Sequence, residues 1–183
     1  ERVDSGQTSQ SGTLTSLINL IVEKHHVFTR EELARLTSLV DKVCAVHGTN
    51  HPELLKIKVQ FQTLRAELEP HMMKEELILF PYISQLEAAA GSNHPAPFAP
   101  FGDVRNPIAA MMREHDAAGE ILKVIRELSD NFAAPADSCI SYHTLYGALE
   151  ELEADLHQHI HLENNVLFPQ SLTMQQKVLA QNK

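Results

Sequence analysis

One eleven-residue pattern occurs twice in this chain. HMMKEELILFP runs from His71 to Pro81, and HIHLENNVLFP runs from His159 to Pro169, 88 residues later. Both fit H-x-x-x-E-x-x-x-L-F-P. On a helix, an imidazole and a carboxylate four positions apart lie one turn apart and point the same way. Neutral imidazole and carboxylate oxygen are ligands for first-row metal ions. A His–Glu pair at this spacing is often no more than a surface ion pair. Here, however, each pair continues an apolar stripe. Ile57, Phe61, Leu64 and Leu68 lead to His71, and Leu145, Leu149, Leu152 and Leu156 lead to His159. Both pairs should therefore face the core, where a carboxylate or imidazole without a partner costs several kcal/mol. A metal ion between the pairs resolves both costs at once.

The elements that position these groups read as helices. Alternating steps of four and three mark an inward stripe. Leu14, Ile18, Ile21, His25 and Phe28 place such a stripe on a first helix from about Leu14 to Val46. HGTNHPEL supplies a turn with Asn50 as cap and Pro52 near the first helical position. A second helix then runs to about Ala90, with Pro70 inside it, where a kink would open space beside His71. Residues 91–107 are rich in Pro and Gly and read as the longest loop. A third helix spans about Pro107 to Asn131, with Ile108, Met111, His115, Leu122 and Ile125 inward. After FAAPADS, a fourth helix runs to about Phe168. The resulting fold class is all-α: an antiparallel up-down four-helix bundle whose halves are related by an internal pseudo-twofold repeat. Residues 1–12 read as a disordered polar tail, 13–172 as the bundle, and 173–183 as a Gln-rich tail able to form a short extra helix.

Collected from the four stripes, the inward polar groups are His25, His71, Glu75, His115, His159 and Glu163. A lone inward His is more often a core residue satisfied by its neighbours. Six such groups with internal symmetry are harder to explain that way. One tetrahedral zinc needs only about four ligands. A ferritin-type site needs Glu on all four helices and Glu-x-x-His motifs. Two ions that share both carboxylates, with two His each, match the count. Glu67 and Asp155 precede His71 and His159 by one turn, and Glu114 precedes His115. Each either orients a ligand imidazole or is a solvated charge on a helix flank. His47 is either a donor behind the ligands or a helix cap. His26 and His161 should turn away from the stripes, and His51, His94, His143 and His157 read as loop or surface residues.

Composition narrows the partners. The chain has 183 residues and a formal charge of −9, with basic residues scattered singly, which disfavours nucleic acid. No apolar run reaches the roughly 18 residues a membrane span requires. Two distant cysteines, Cys44 and Cys139, suggest reduced thiols and a cytoplasmic location. Because the sequence opens at Glu1 rather than Met, a segment is expected upstream.

The strings IVEKHH, HMMKEELILFP, REHDAAGEI and HIHLENNVLFP resemble the hemerythrin-like domain, and more closely the di-iron iron–sulfur cluster repair family. The likeness covers roughly residues 14–170. Oxygen-carrying hemerythrins have a second His one turn after the third-helix ligand, where this chain has Gly119, so the repair family is the better match. The resemblance implies two non-haem iron ions, bridged by carboxylates and by an oxo or hydroxo group. It implies repair of iron–sulfur clusters damaged by nitrosative or oxidative stress, through iron donation or through nitric oxide and nitrite chemistry at the metals. The implied partners are damaged iron–sulfur proteins and small ligands such as nitric oxide or oxygen. The adjacent cysteines that open many family members are absent here. A module that only binds or senses oxygen or nitric oxide, and a bundle that metal merely stabilises, remain alternatives.

Overall fold

The computed structural model describes residues 12–92 and 94–181, and these are all helix, turn or loop, with no strand. Four long helices dominate, covering residues 14–47, 53–92, 105–128 and 140–181. The third is one α-helix, Arg105–Leu128. Each of the others contains one wider π-helical turn: Ile21–His26 in the first, Glu75–Leu79 in the second and Glu163–Leu167 in the fourth. The second helix continues through Pro70 as far as Lys74 before its π turn begins. The C-terminal segment is no separate tail, because α-helix Phe168–Gln181 prolongs the fourth helix. Gln175 and Val178 are buried there, and Gln175 Oε1 accepts a bond from the Val104 amide at 3.2 Å. Residues 1–11, most of the expected polar tail, lie outside the described residues.

Helix ends are tied into the fold. Thr13 accepts the Ser16 N–H at 3.0 Å. The Glu87 carboxylate takes the N–H groups of Leu14 and Thr15 at 2.6 and 3.0 Å, which joins the start of the first helix to the end of the second. The third helix stops where Asp130, Asn131 and Phe132 all have positive φ. Phe132 is held there by burial and by the Arg126 guanidinium, 4.8 Å above its ring.

The interior consists of two apolar clusters. One gathers buried residues between 33 and 72, between 118 and 132, and between 142 and 156. The other gathers residues 14–21, 79–89, 104–111 and 167–178. Along every helix, the candidate ligands lie where one cluster gives way to the other. The polar layer is thus a slab between two cores, cut off from water on both sides.

The π turns set which side chains reach that slab. Buried along the first helix are Leu14, Ile18, Ile21, His25, His26, Thr29, Leu33, Leu36 and Val40. Two adjacent histidines are thus buried within the π turn, and from Ile21 the step to His26 is five. A π turn adds one residue per turn, in keeping with that step. The same step of five joins Glu75 to Phe80 and Glu163 to Phe168, all four of them buried.

Candidate metal centre

Four imidazoles and two carboxylates meet in the slab, each no more than 4 % exposed. His26 Nε2 lies 3.4 Å from Glu75 Oε2, and His71 Nε2 lies 3.4 Å from Glu75 Oε1. On the other side, His115 Nε2 is 3.0 Å from Glu163 Oε2 and His159 Nε2 is 3.1 Å from Glu163 Oε1. The ring nitrogens also pair across helices: His26 with His159 at 3.1 Å and His71 with His115 at 3.2 Å, both through Nε2. Two donor groups result, His26–Glu75–His159–Glu163 and His71–Glu75–His115–Glu163, and either could hold a metal ion. They share both carboxylates.

Protein partners alone do not satisfy these groups. Both oxygens of Glu75 and Oε2 of Glu163 are buried without a hydrogen bond. Burial raises the Glu75 carboxyl well above its usual range, and the neighbouring Glu163 carboxylate raises it further. Burial lowers the His26 imidazole to about 4, helped by His159 and opposed by Glu76. Burial likewise lowers His71, against the opposing pull of Glu114. Imidazoles held neutral keep a lone pair for a metal, and a cation would neutralise both carboxylates. The donor set therefore fits two cations sharing two carboxylates.

One expected ligand lies apart from the donor groups. His25 lies outside both donor groups: its Nδ1–H donates to Asp155 Oδ1 at 2.9 Å, and its ring stacks on His159 with centroids 5.8 Å apart. His26, expected to turn outward, stands instead in one of the two donor groups, within the π turn. Local spacing does not reveal this: Ile21, His25, Thr29 and Leu33 are each four residues apart, so an α-helical count from either end lands on His25.

Behind the ligands stand residues that fix ring orientation and tautomer. His26 Nδ1 donates to Glu76 Oε1 at 2.6 Å, and the same oxygen accepts from Arg30 Nη2 at 2.8 Å. His71 Nδ1 donates to Glu114 Oε2 at 2.8 Å, and Lys74 also pairs with that carboxylate. His115 Nδ1 donates to Asn164 Oδ1 at 3.0 Å. Glu114 and Asp155 thus each hold an imidazole, although the one held by Asp155 is His25. Glu76 and Asn164 were not expected from the sequence. They occupy one place in the repeat, directly after Glu75 and Glu163, and that equivalence was the available clue. His47 is not near the centre: its Nε2 bonds Cys139 Sγ at 3.1 Å, beside Tyr142.

A cavity of about 10 Å³, room for about one water molecule, adjoins His71, His115 and His159. Ala118 lines it and Gly119 does not, and a Cβ at Gly119 would meet nothing within 4 Å. Glu67 and Glu114 line this cavity and also a wider outer groove that includes Pro70 and Lys74. Glu67 thus stands between the centre and the surface.

A bundle with two His₂ donor groups sharing buried carboxylates defines a class, and comparison with known proteins agrees. The chain belongs to the hemerythrin HHE cation binding domain family, whose profile matches residues 17–171. It is 38 % identical over 162 residues to a probable iron-sulfur cluster repair protein of Haemophilus influenzae, covering 88 % of this chain and 67 % of that protein. It is 36 % identical over 168 residues to the iron-sulfur cluster repair protein YtfE of Yersinia pseudotuberculosis, covering 92 % and 70 %. The YtfE protein of Edwardsiella ictaluri is 38 % identical over 169 residues, covering 92 % and 71 %.

Proposed function

We propose that this chain is a non-haem di-iron protein that restores iron–sulfur clusters damaged by nitrosative or oxidative stress. The observation that carries the reading is the pair of His₂ donor groups that share Glu75 and Glu163 in a water-excluded slab. His26 and His159 would hold one iron, His71 and His115 the other, and the two carboxylates would bridge them. Bound iron would supply metal for rebuilding clusters and redox capacity for nitric oxide or nitrite chemistry. The residues do the rest. Glu76, Glu114 and Asn164 hold three imidazoles in one tautomer, and the two apolar clusters exclude bulk water. The clients are damaged iron–sulfur proteins, as the names of the relatives suggest. A cytoplasmic setting is part of the reading, in keeping with two unpaired thiols.

The architecture belongs to the proposal as well. We read the helices as an antiparallel up-down bundle in which residues 53–80 and 141–168 are equivalent about a pseudo-twofold axis through the centre. Supporting this, the π turns at Glu75–Leu79 and Glu163–Leu167 stand 88 residues apart, the offset of the sequence repeat. The small cavity beside His71, His115 and His159 favours a second reading, a module that only binds or senses oxygen or nitric oxide.

Metal analysis with an iron-transfer assay separates the readings. Protein from iron-replete cells should carry about two irons per chain, one for each donor group, and should lose iron to an apo iron–sulfur protein. Reversible oxygen binding without iron loss would favour the binding module. One zinc per chain would defeat both.

A further inference from the structure

The four imidazoles of the centre are not held alike. A histidine that gives one ring nitrogen to a metal carries its proton on the other, and a partner for that N–H makes the ligand nitrogen more basic. With metal at Nε2, the proton belongs on Nδ1. His26 Nδ1 then donates to Glu76 at 2.6 Å, His71 Nδ1 to Glu114 at 2.8 Å and His115 Nδ1 to Asn164 at 3.0 Å. His159 Nδ1 is buried and, among the described residues, has no hydrogen-bond partner. Its neighbours explain why. Glu114 and His25 each directly precede a donor-group histidine, His115 and His26. Glu114 backs His71, whereas the His25 ring lies flat on His159, with centroids 5.8 Å and planes 13° apart. A ring stacked in that way is out of the plane in which Nδ1–H points. Asp155 stands one turn before His159, but its Oδ1 accepts from His25 Nδ1 at 2.9 Å.

We propose that the iron position between His26 and His159 is the labile one, that the ion given up for cluster repair leaves from it, and that the unbacked His159 is the ligand that lets go. A partner behind a metal-bound imidazole is worth about 10–100-fold in affinity. The position between His71 and His115 has both imidazoles backed, and the other has only one. Glu75 and Glu163 belong to both donor groups, so they do not offset the difference. The ion kept by His71 and His115 continues to balance the two buried carboxylates while its neighbour departs. This inference rests on the di-iron reading above.

The test follows release of iron(II) from the reduced, iron-loaded full chain to a coloured chelator in the absence of oxygen. Iron should leave in two equal phases, the second about tenfold slower or more. Asn164→Ala, which takes the partner from His115, should speed the slow phase and leave the fast one as it was. Asn164→Asp keeps an acceptor there and should keep the slow phase slow. His26→Ala should retain one iron, and that iron should leave at the slow rate. Two irons released together in a single phase, or an iron retained by His26→Ala that leaves at the fast rate, would overturn the proposal. The starting content separates the two ideas. A chain that loads only one iron would defeat the di-iron reading first and this proposal with it, whereas two irons of equal lability would defeat this proposal alone.

Discussion

His25 and His26 are chain neighbours, both buried, and differ in what their nitrogens face. His26 Nε2 meets His159 and Glu75, whereas His25 Nδ1 meets Asp155. On the proposed di-iron reading, His26→Ala should therefore cost the centre one of two ions, while His25→Ala should leave both; metal analysis of the dialysed variants decides. Far from the centre, Cys139 is an exposed thiol beside His47. The hydrogen bond from His47 stabilises the thiolate and brings Cys139 down to about 7, whereas burial raises the Cys44 thiol. A lowered thiol value means more thiolate at neutral pH, so reactivity rises as pH climbs through that value. Iodoacetamide should label Cys139 with a midpoint near pH 7 and leave Cys44 unlabelled in the folded protein. In His47→Ala the midpoint should return toward the ordinary thiol value of about 8.5. An unmoved midpoint would show that the imidazole does not tune the thiol.

Among the elements, the π turns carry the most specific consequence. In the first helix, the step from Ile21 to the donor-group residue His26 is five, although the buried His25 lies four from Ile21. Deleting the exposed residue Glu23 would shorten that step to four and leave an unbroken α-helical stripe with His26 still inward. That variant should fold and keep metal. Deleting the exposed residue Ala34 instead would shorten the step from Leu33 to Leu36 to two, turning one part of the stripe about 100° away from the other. Exposing even one buried leucine costs about 2–5 kcal/mol, so this deletion should lower the melting temperature far more. Circular dichroism melts with metal analysis compare the two. Equal damage would mean that the π turn itself, and not only the phase it sets, is required.

At the scale of the whole molecule, the slab of His and Glu side chains separates two apolar clusters that every long helix crosses. Without cations, two fully buried carboxylates and four buried imidazoles face one another with three carboxylate oxygens unbonded. Breaking a buried ion pair costs about 3–5 kcal/mol, and a ligand that binds only the folded state adds stability by mass action. Removing metal with a chelator should therefore lower the melting temperature by many degrees, and adding iron(II) back should restore it. The same treatment of Glu75→Gln, already short of a bridging charge, should produce a smaller drop. If the chelator left the unaltered chain as stable as before, the slab would be satisfied without metal.

Much of this was written in the order of residues. Period 3.6 patterning marked four helices, because an amphipathic stripe is a local property of the chain. The repeated H-x-x-x-E motif marked His71, Glu75, His159 and Glu163, because groups one turn apart share a face in any α-helix. His115 followed from its place between Met111 and Leu122. Tertiary structure decided what depends on the match between distant surfaces. Local patterning assumes an α-helical phase throughout, and a π turn breaks it, so His26 rather than His25 reaches the carboxylates. The contact of Gln175 with the Val104 amide makes the last residues part of the helical core, which no local pattern required. Which carboxylate or amide backs which imidazole, Glu76 for His26 and Asn164 for His115, likewise depends on how neighbouring helices are rotated against one another. Rotation of that kind is set by packing across the bundle, and a single helix read alone carries no record of it.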